Sequence, residues 1–197
     1  MKETKNKLEP KLGKIIFETG PMFSGKTDAL INKIEHCQLF KRPYLAIKLR
    51  GDGRYTSEAK LCTMSGRSTS AMEVSLHEAN DYLLTHPEIK WVFVDESQFQ
   101  DGISHYAVMW KNAGIHVYCA GLNGDFEQKA FPNIIDLSSH IDKTNQHYAC
   151  CMHEGCSNKA NYTHRLDSTV KELKDLGGPD KYISLCLTHL LHAKNIR

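Results

Sequence analysis

The stretch "KIIFETGPMFSGKTDAL", Lys14 to Leu30, decides the fold. Apolar, β-favouring residues from Lys14 to Glu18 lead straight into a glycine-rich turn. That turn has the spacing Gly20, four residues, then Gly25-Lys26-Thr27. Beyond it, Leu30, Ile31, Ile34 and Cys37 recur at helical spacing as far as about Phe40. A strand, a glycine loop and a helix in that order form an anion cradle. Glycines let the backbone wrap closely, and successive N–H groups with the helix N-terminus face phosphates. In such a loop Lys26 reaches the β- and γ-oxygens of a nucleotide, and the Thr27 hydroxyl can ligate Mg²⁺. Chance places this pattern in a chain of this length roughly once in a hundred.

Working outward, "YLAIKL" (Tyr44–Leu49), "WVFVDE" (Trp91–Glu96) and "IHVYCAGL" (Ile115–Leu122) read as further strands. Helical stretches fall around Leu76–Leu84 and Ser104–Ala113. Strands that are nearly continuous apolar runs, separated by helices, predict an α/β fold with a mainly parallel sheet covered on both faces. From about Asn145, cysteines, histidines and glycines replace this alternation. The expected organisation is therefore a flexible leader (1–13), a nucleotide-binding α/β domain (14–144) and a small second module (145–197). A chain of 197 residues suits one good core with an appendage of this kind.

Composition narrows the function. The net charge is +2 with both signs interspersed, so no basic footprint points to nucleic acid as a partner. No apolar run approaches the ~18–20 residues that span a bilayer. The opening "MKETKNKLEPKLG" has no apolar core and carries Glu3 and Glu9, unlike a signal or transit peptide, so a cytoplasmic location is expected. Seven cysteines, an odd number, read as free thiols and metal ligands rather than disulfides.

A phosphate loop of this class wants a carboxylate at the end of a neighbouring strand to organise Mg²⁺. Asp95 in "WVFVDESQF" closes such a strand, and Glu96 follows it. Strand side chains alternate faces, so Asp95 can serve the metal while Glu96 faces a second substrate. The alternative for Glu96 is a solvated charge at a strand end. Farther on, Cys151-x4-Cys156 and Cys186-x2-His189 are two ligand pairs with the spacing of a structural zinc site. Cys150 adjoins Cys151 as a competing ligand, and His153 and His192 are further candidates. With four protein ligands such a metal folds the module rather than performing chemistry.

Taken together these motifs resemble the type II thymidine kinases, over about Lys14 to His189. "GPMFSGKT" is similar to that family's phosphate loop, and "VDESQF" to its Asp-Glu-x-Gln-Phe segment. "AGLNGDFEQKAF" (Ala120–Phe131) and "GGPDKY" (Gly177–Tyr182) resemble its pocket segment and its Gly-Gly…Lys-Tyr signature. The resemblance implies a RecA-like P-loop core and a zinc-ribbon-like C-terminal lobe with a lasso loop, assembled as a homotetramer. It implies transfer of the ATP γ-phosphate to the 5′-hydroxyl of thymidine, with Mg²⁺ accompanying ATP and Zn²⁺ structural. By position, Gly20, Pro21, Met22, Phe23, Ser24, Gly25, Lys26 and Thr27 would bind the ATP phosphates, with Asp52, Arg54, Asp95 and Gln98 on the same side. Glu96 would be the catalytic base. Met22, Phe99, Leu122, Phe126, Phe131 and Tyr182 would line the thymidine pocket, and Leu173, Lys174, Asp175, Leu176 and Gly177 would meet the base through their main chain. Cys151, Cys156, Cys186 and His189 would hold zinc. The chain departs from the family in the wider Cys151-x4-Cys156 pair, in His189 where many members have Cys, in the charged loop residues Lys171, Lys174 and Asp175, and in Met64 of "CTMSGR". A nucleic-acid-dependent P-loop ATPase with a zinc ribbon is the competing class.

Overall fold

The computed structural model describes residues 11–52, 58–167, 169, 172 and 177–195. Strand β1 (Ile15–Gly20) enters the glycine loop, and helix α1 (Lys26–Leu39) leaves it. Then come β2 (Leu45–Lys48), a hairpin of β3 (Lys60–Cys62) and β4 (Ser68–Ser70), and the short β5 (Met72–Glu73). The core continues with α2 (Leu76–Thr85), β6 (Trp91–Val94), α3 (Ile103–Asn112), β7 (His116–Leu122), α4 (Pro132–Ser138) and β8 (Lys143–Gln146). Six of these strands form one sheet, in the order β5-β2-β6-β7-β1-β8. Every pairing in it is parallel. The α/β class predicted from the apolar runs is the class observed.

Alternation along the strands explains the two covered faces. Leu45 and Ile47 of β2, Val92 and Val94 of β6, and Val117 and Cys119 of β7 share one face, packed with Leu76, Ala79 and Leu83 of α2 and Ile103, Ala107 and Trp110 of α3. The residues between them, Ala46, Phe93 and Ala120, turn to the other face and meet Leu30, Ile31, Ile34 and Cys37 of α1. A two-residue period in the sheet meeting a 3.6-residue period in the helices builds both layers. α2 starts on a capping box, in which the Ser75 hydroxyl accepts from the Glu78 N–H and the Glu78 carboxylate accepts from the Ser75 N–H.

Two differences from expectation have local causes. β6 ends at Val94, not Glu96, because Glu96 adopts a left-handed backbone conformation (φ 48). β8 extends the sheet through Gln146 beside β1, so the change of composition at Asn145 falls inside an edge strand. Beyond it lie two antiparallel ribbons, β9 (Ala149–Cys150) with β10 (Lys159–Ala160) and β11 (Tyr162–Arg165) with β12 (Tyr182–Leu185), then α5 (Leu187–Ala193). Their small core is Ala149, Cys151, Ala160, Leu185, Cys186 and Leu190. Phe23, from the glycine loop, packs against it.

Candidate functional site

The parallel strands all point their C-terminal ends one way, and a cavity of about 360 Å³ opens there. One wall is the glycine loop from Met22 to Thr27. Its shape is set by tight backbone: Gly25 has φ 81 at the start of α1, and a Cβ on Gly20 would come within 2.5 Å of the His147 carbonyl oxygen. Lys26 Nζ donates to the Pro21 carbonyl at 2.6 Å, curling over the loop. Pro21 and Gly20 shape the loop without lining the cavity.

Two strands away from β1, Asp95 follows β6 and accepts from the Thr27 hydroxyl at 3.2 Å through Oδ2. A buried carboxylate and a hydroxyl, both hard oxygen donors, thus meet beside the phosphate cradle. This pairing suits Mg²⁺. Glu96 also lines the cavity, but the separation of the two carboxylates comes from the left-handed turn rather than from strand alternation. Such a conformation costs a non-glycine residue on the order of 1 kcal/mol and aims the side chain where a strand could not. Gln98 then fixes it: its Nε2 donates to Glu96 Oε2 at 2.5 Å, and its Oε1 accepts from the Leu122 N–H at 3.2 Å. Gln98 is buried and stands behind Glu96 rather than on the cavity wall, unlike the ATP-side position the resemblance implied.

The opposite wall is aromatic. Phe99 and Phe131 meet edge to face at 5.5 Å between ring centroids. Phe126 and Tyr182 flank the buried Arg165 guanidinium, whose central carbon lies 5.2 Å and 5.4 Å from their centroids. The same guanidinium donates to the Glu172 carbonyl at 3.0 Å. Leu122, Gly177 and Asp52, also expected, line the cavity as well. Arg54 and the loop residues Lys171, Leu173, Lys174, Asp175 and Leu176 lie outside the described residues.

Sequence reasoning missed several wall residues. Lys48 closes β2 as a buried lysine, and its Nζ donates to the Glu58 carbonyl at 3.0 Å. A lysine interrupting an apolar strand was the available signal. Thr163 lines the cavity from β11. Asp125 is buried and accepts the N–H groups of Glu127 and Lys129, each at 2.8 Å, which shapes the turn that presents Phe126. The hairpin residues Cys62, Thr63, Met64 and Ser65 also reach the cavity, so Met64 now has a place if not a role.

In the lobe, ligand atoms of Cys151, Cys156, Cys186 and His189 lie within 4.8 Å of one another. His189 Nδ1 is 3.4 Å from Cys151 Sγ and 3.2 Å from Cys186 Sγ. Zinc bonds of about 2.3 Å to sulfur and 2.0 Å to nitrogen give tetrahedral edges of about 3.5 Å, so the donor set and its spacing fit that ion. Cys150 is exposed and outside the cluster. His153 stacks flat on His189 at 3.7 Å and is likewise outside it. The His189 backbone N–H lowers the Cys186 thiol below its usual range, which favours the thiolate a metal requires. Burial, with His153 and His192 nearby, lowers His189 and favours neutral imidazole. Cys119 is the opposite case: burial pushes its thiol up to about 12.

Comparison with known proteins agrees with this geometry. A family model described as thymidine kinase matches residues 13–190. Human cytosolic thymidine kinase is 34% identical over 174 residues, covering 88% of this chain and 71% of that one. The thymidine kinase of Fowlpox virus (strain NVSL) is 32% identical over 181 residues, covering 88% and 94%. Thymidine kinase 1 of Dictyostelium discoideum is 32% identical over 177 residues, covering 88% and 76%. With a match spanning phosphate loop, sheet and Cys/His lobe alike, the chain belongs to the thymidine kinase family.

Proposed function

We propose that this chain transfers the γ-phosphoryl group of ATP to the 5′-hydroxyl of thymidine, with deoxyuridine as a second acceptor. One observation carries the reading: a single cavity joins the phosphate loop to an aromatic wall, with Asp95 and Glu96 on its lining. The loop from Gly20 to Thr27, with Asp52 and Arg54, holds the ATP phosphates. Thr27 and Asp95 would hold the Mg²⁺ that arrives with ATP, which would supply neutralisation of the phosphate charge. Phe99, Phe126 and Phe131 enclose the nucleoside with Met22 and Leu122, and Tyr182 stands beside its sugar. By the resemblance, main-chain groups from Leu173 to Gly177, of which 173–176 lie outside the described residues, would meet the polar edge of the base.

Glu96 takes the 5′-hydroxyl proton as that oxygen bonds the γ-phosphorus and the bond to the β-bridging oxygen breaks, releasing ADP. Phosphoryl transfer has a loose transition state, so positioning and charge stabilisation supply most of the acceleration. Gln98 positions the base. Cys151, Cys156, Cys186 and His189 would hold a zinc ion that folds the lobe, and four protein ligands would leave no position for substrate. A cytoplasmic location is supported by the name of the human relative, a cytosolic thymidine kinase, and a homotetramer is what the family resemblance implies. No helix among the described residues is long and apolar enough to cross a membrane.

The test is phosphotransfer from γ-labelled ATP with Mg²⁺ and a panel of nucleosides. Label is expected on thymidine as the 5′-monophosphate, with deoxyuridine next and deoxycytidine last. Folded, zinc-loaded protein that labels no nucleoside would defeat the reading.

A further inference from the structure

The lobe hydrogen-bonds both main-chain polar groups of Met22 in the phosphate loop. The Met22 N–H donates to Thr163 Oγ1 at 3.0 Å, and the Met22 carbonyl accepts from Ser184 Oγ at 2.5 Å. Thr163 and Ser184 are register partners across β11 and β12, so one rung of that ribbon holds both polar groups of residue 22. Both hydroxyl residues are buried, Ser184 completely. Burial of both hydroxyls limits competition from water for these bonds. The next residue, Phe23, turns left-handed (φ 61) and packs against the lobe core that contains Cys151 and Cys186.

This geometry has a consequence for phosphate binding. An anion cradle works because its N–H groups are already aimed when the anion arrives. The Met22 N–H is aimed away from the cradle, into the lobe, so residue 22 is an anchor rather than a phosphate donor. Rotation of its peptides would redirect the N–H groups that follow, from Phe23 to Thr27. We infer that Ser184 and Thr163 are positioning residues for the nucleotide: their rung fixes Met22 and thereby sets the aim of the phosphate loop. The inference rests on the proposed reading only in taking that loop as the site of the nucleotide phosphates. It makes the Cys/His lobe part of the nucleotide site as well as a wall of the nucleoside site.

The experiment uses the full chain and Mg–ADP as probe, by titration calorimetry, with zinc content and melting temperature measured on the same samples. Ser184→Ala and Thr163→Val are each expected to weaken Mg–ADP binding about five- to twentyfold, as loss of one buried hydrogen bond would. Because both act on one residue, the double variant should lose little more than the weaker-binding single variant. In the phosphotransfer assay, the KM for ATP should rise by a similar factor while kcat changes less. A rung that merely holds the fold together would lower the melting temperature and leave Mg–ADP affinity within about twofold. That result, in either variant that folds with its zinc, overturns the inference, as would fully additive losses. Wild-type protein that binds Mg–ADP but phosphorylates no nucleoside would remove the thymidine assignment and leave the rung's role standing.

Discussion

In the sheet, Val92, Phe93 and Val94 are wholly buried between two layers of helices, and no polar group is needed to hold them there. In the lobe, ribbons of two to four residues surround six buried side chains, two of which are cysteines of the metal-binding set. Both regions wall the same cavity, yet they are held by different physics. Burial of apolar surface stabilises the first, at about 25 cal/mol per Å². The second is too small for that term to dominate, and a metal ion held by its Cys/His cluster would supply the difference. The phosphate loop belongs to both, springing from β1 and seated through Met22 and Phe23 in the lobe. A site built this way takes rigidity from the sheet and conditional order from the lobe.

The largest expected effect breaks the lobe alone. Cys186→Ser should abolish stoichiometric zinc and with it about 10 kcal/mol of apparent folding energy of the lobe. Elemental analysis and circular dichroism check this: zinc and phosphotransfer vanish while the helical signal of the sheet domain persists. Next comes Glu96→Gln, which leaves both regions intact and should lower kcat about 10²–10⁴-fold with Mg–ADP affinity unchanged. Near wild-type turnover would remove Glu96 from the chemistry. Phe93→Ala sharpens the comparison from the other side. The ring is buried under α1, stacked on Tyr118, and its loss should cost about 3–5 kcal/mol in denaturant unfolding. Zinc content and KM values of the folded protein should not move.

The smallest effect is at a helix end far from the lobe. Ser75→Ala should cost about 1 kcal/mol, with unchanged kinetics. The Ser75 N–H and hydroxyl, with Arg50, hold the Glu78 carboxyl down at about 2. A carboxyl lowered on folding stabilises above its unfolded value of 4.5, and that contribution fades as pH falls toward 2. The difference in stability between wild type and Ser75→Ala should therefore shrink over that window.

How much was legible in the sequence follows the same division. Four of the six sheet strands, β1, β2, β6 and β7, announced themselves because parallel strands buried on both faces are continuous apolar runs, whereas the edge strands β5 and β8 are short or polar and went unread. α1 was legible by period, and its buried residues are the four read from spacing. The ligand quartet was legible by type, but the choice of Cys151 over Cys150 was not. It follows from strand alternation in β9, which exposes Cys150 and turns the next residue inward. The hairpin of β3 and β4 carries no pattern in strands of three residues. The expected strand through Glu96 failed because a left-handed residue leaves no mark on hydrophobicity. The link from Gln98 to Leu122, and those from Met22 to Thr163 and Ser184, join residues that only the fold brings together.

The place of β1 in the sheet also bears on synthesis. Its register partners are Val117 to Leu122 on one side and Lys143 to Gln146 on the other. β1 thus stays without sheet neighbours until residues about a hundred positions later have been made, and such long-range pairings form slowly. A nascent chain carries an apolar segment, "IIF", that must wait for its slot, and unpaired segments of this kind aggregate.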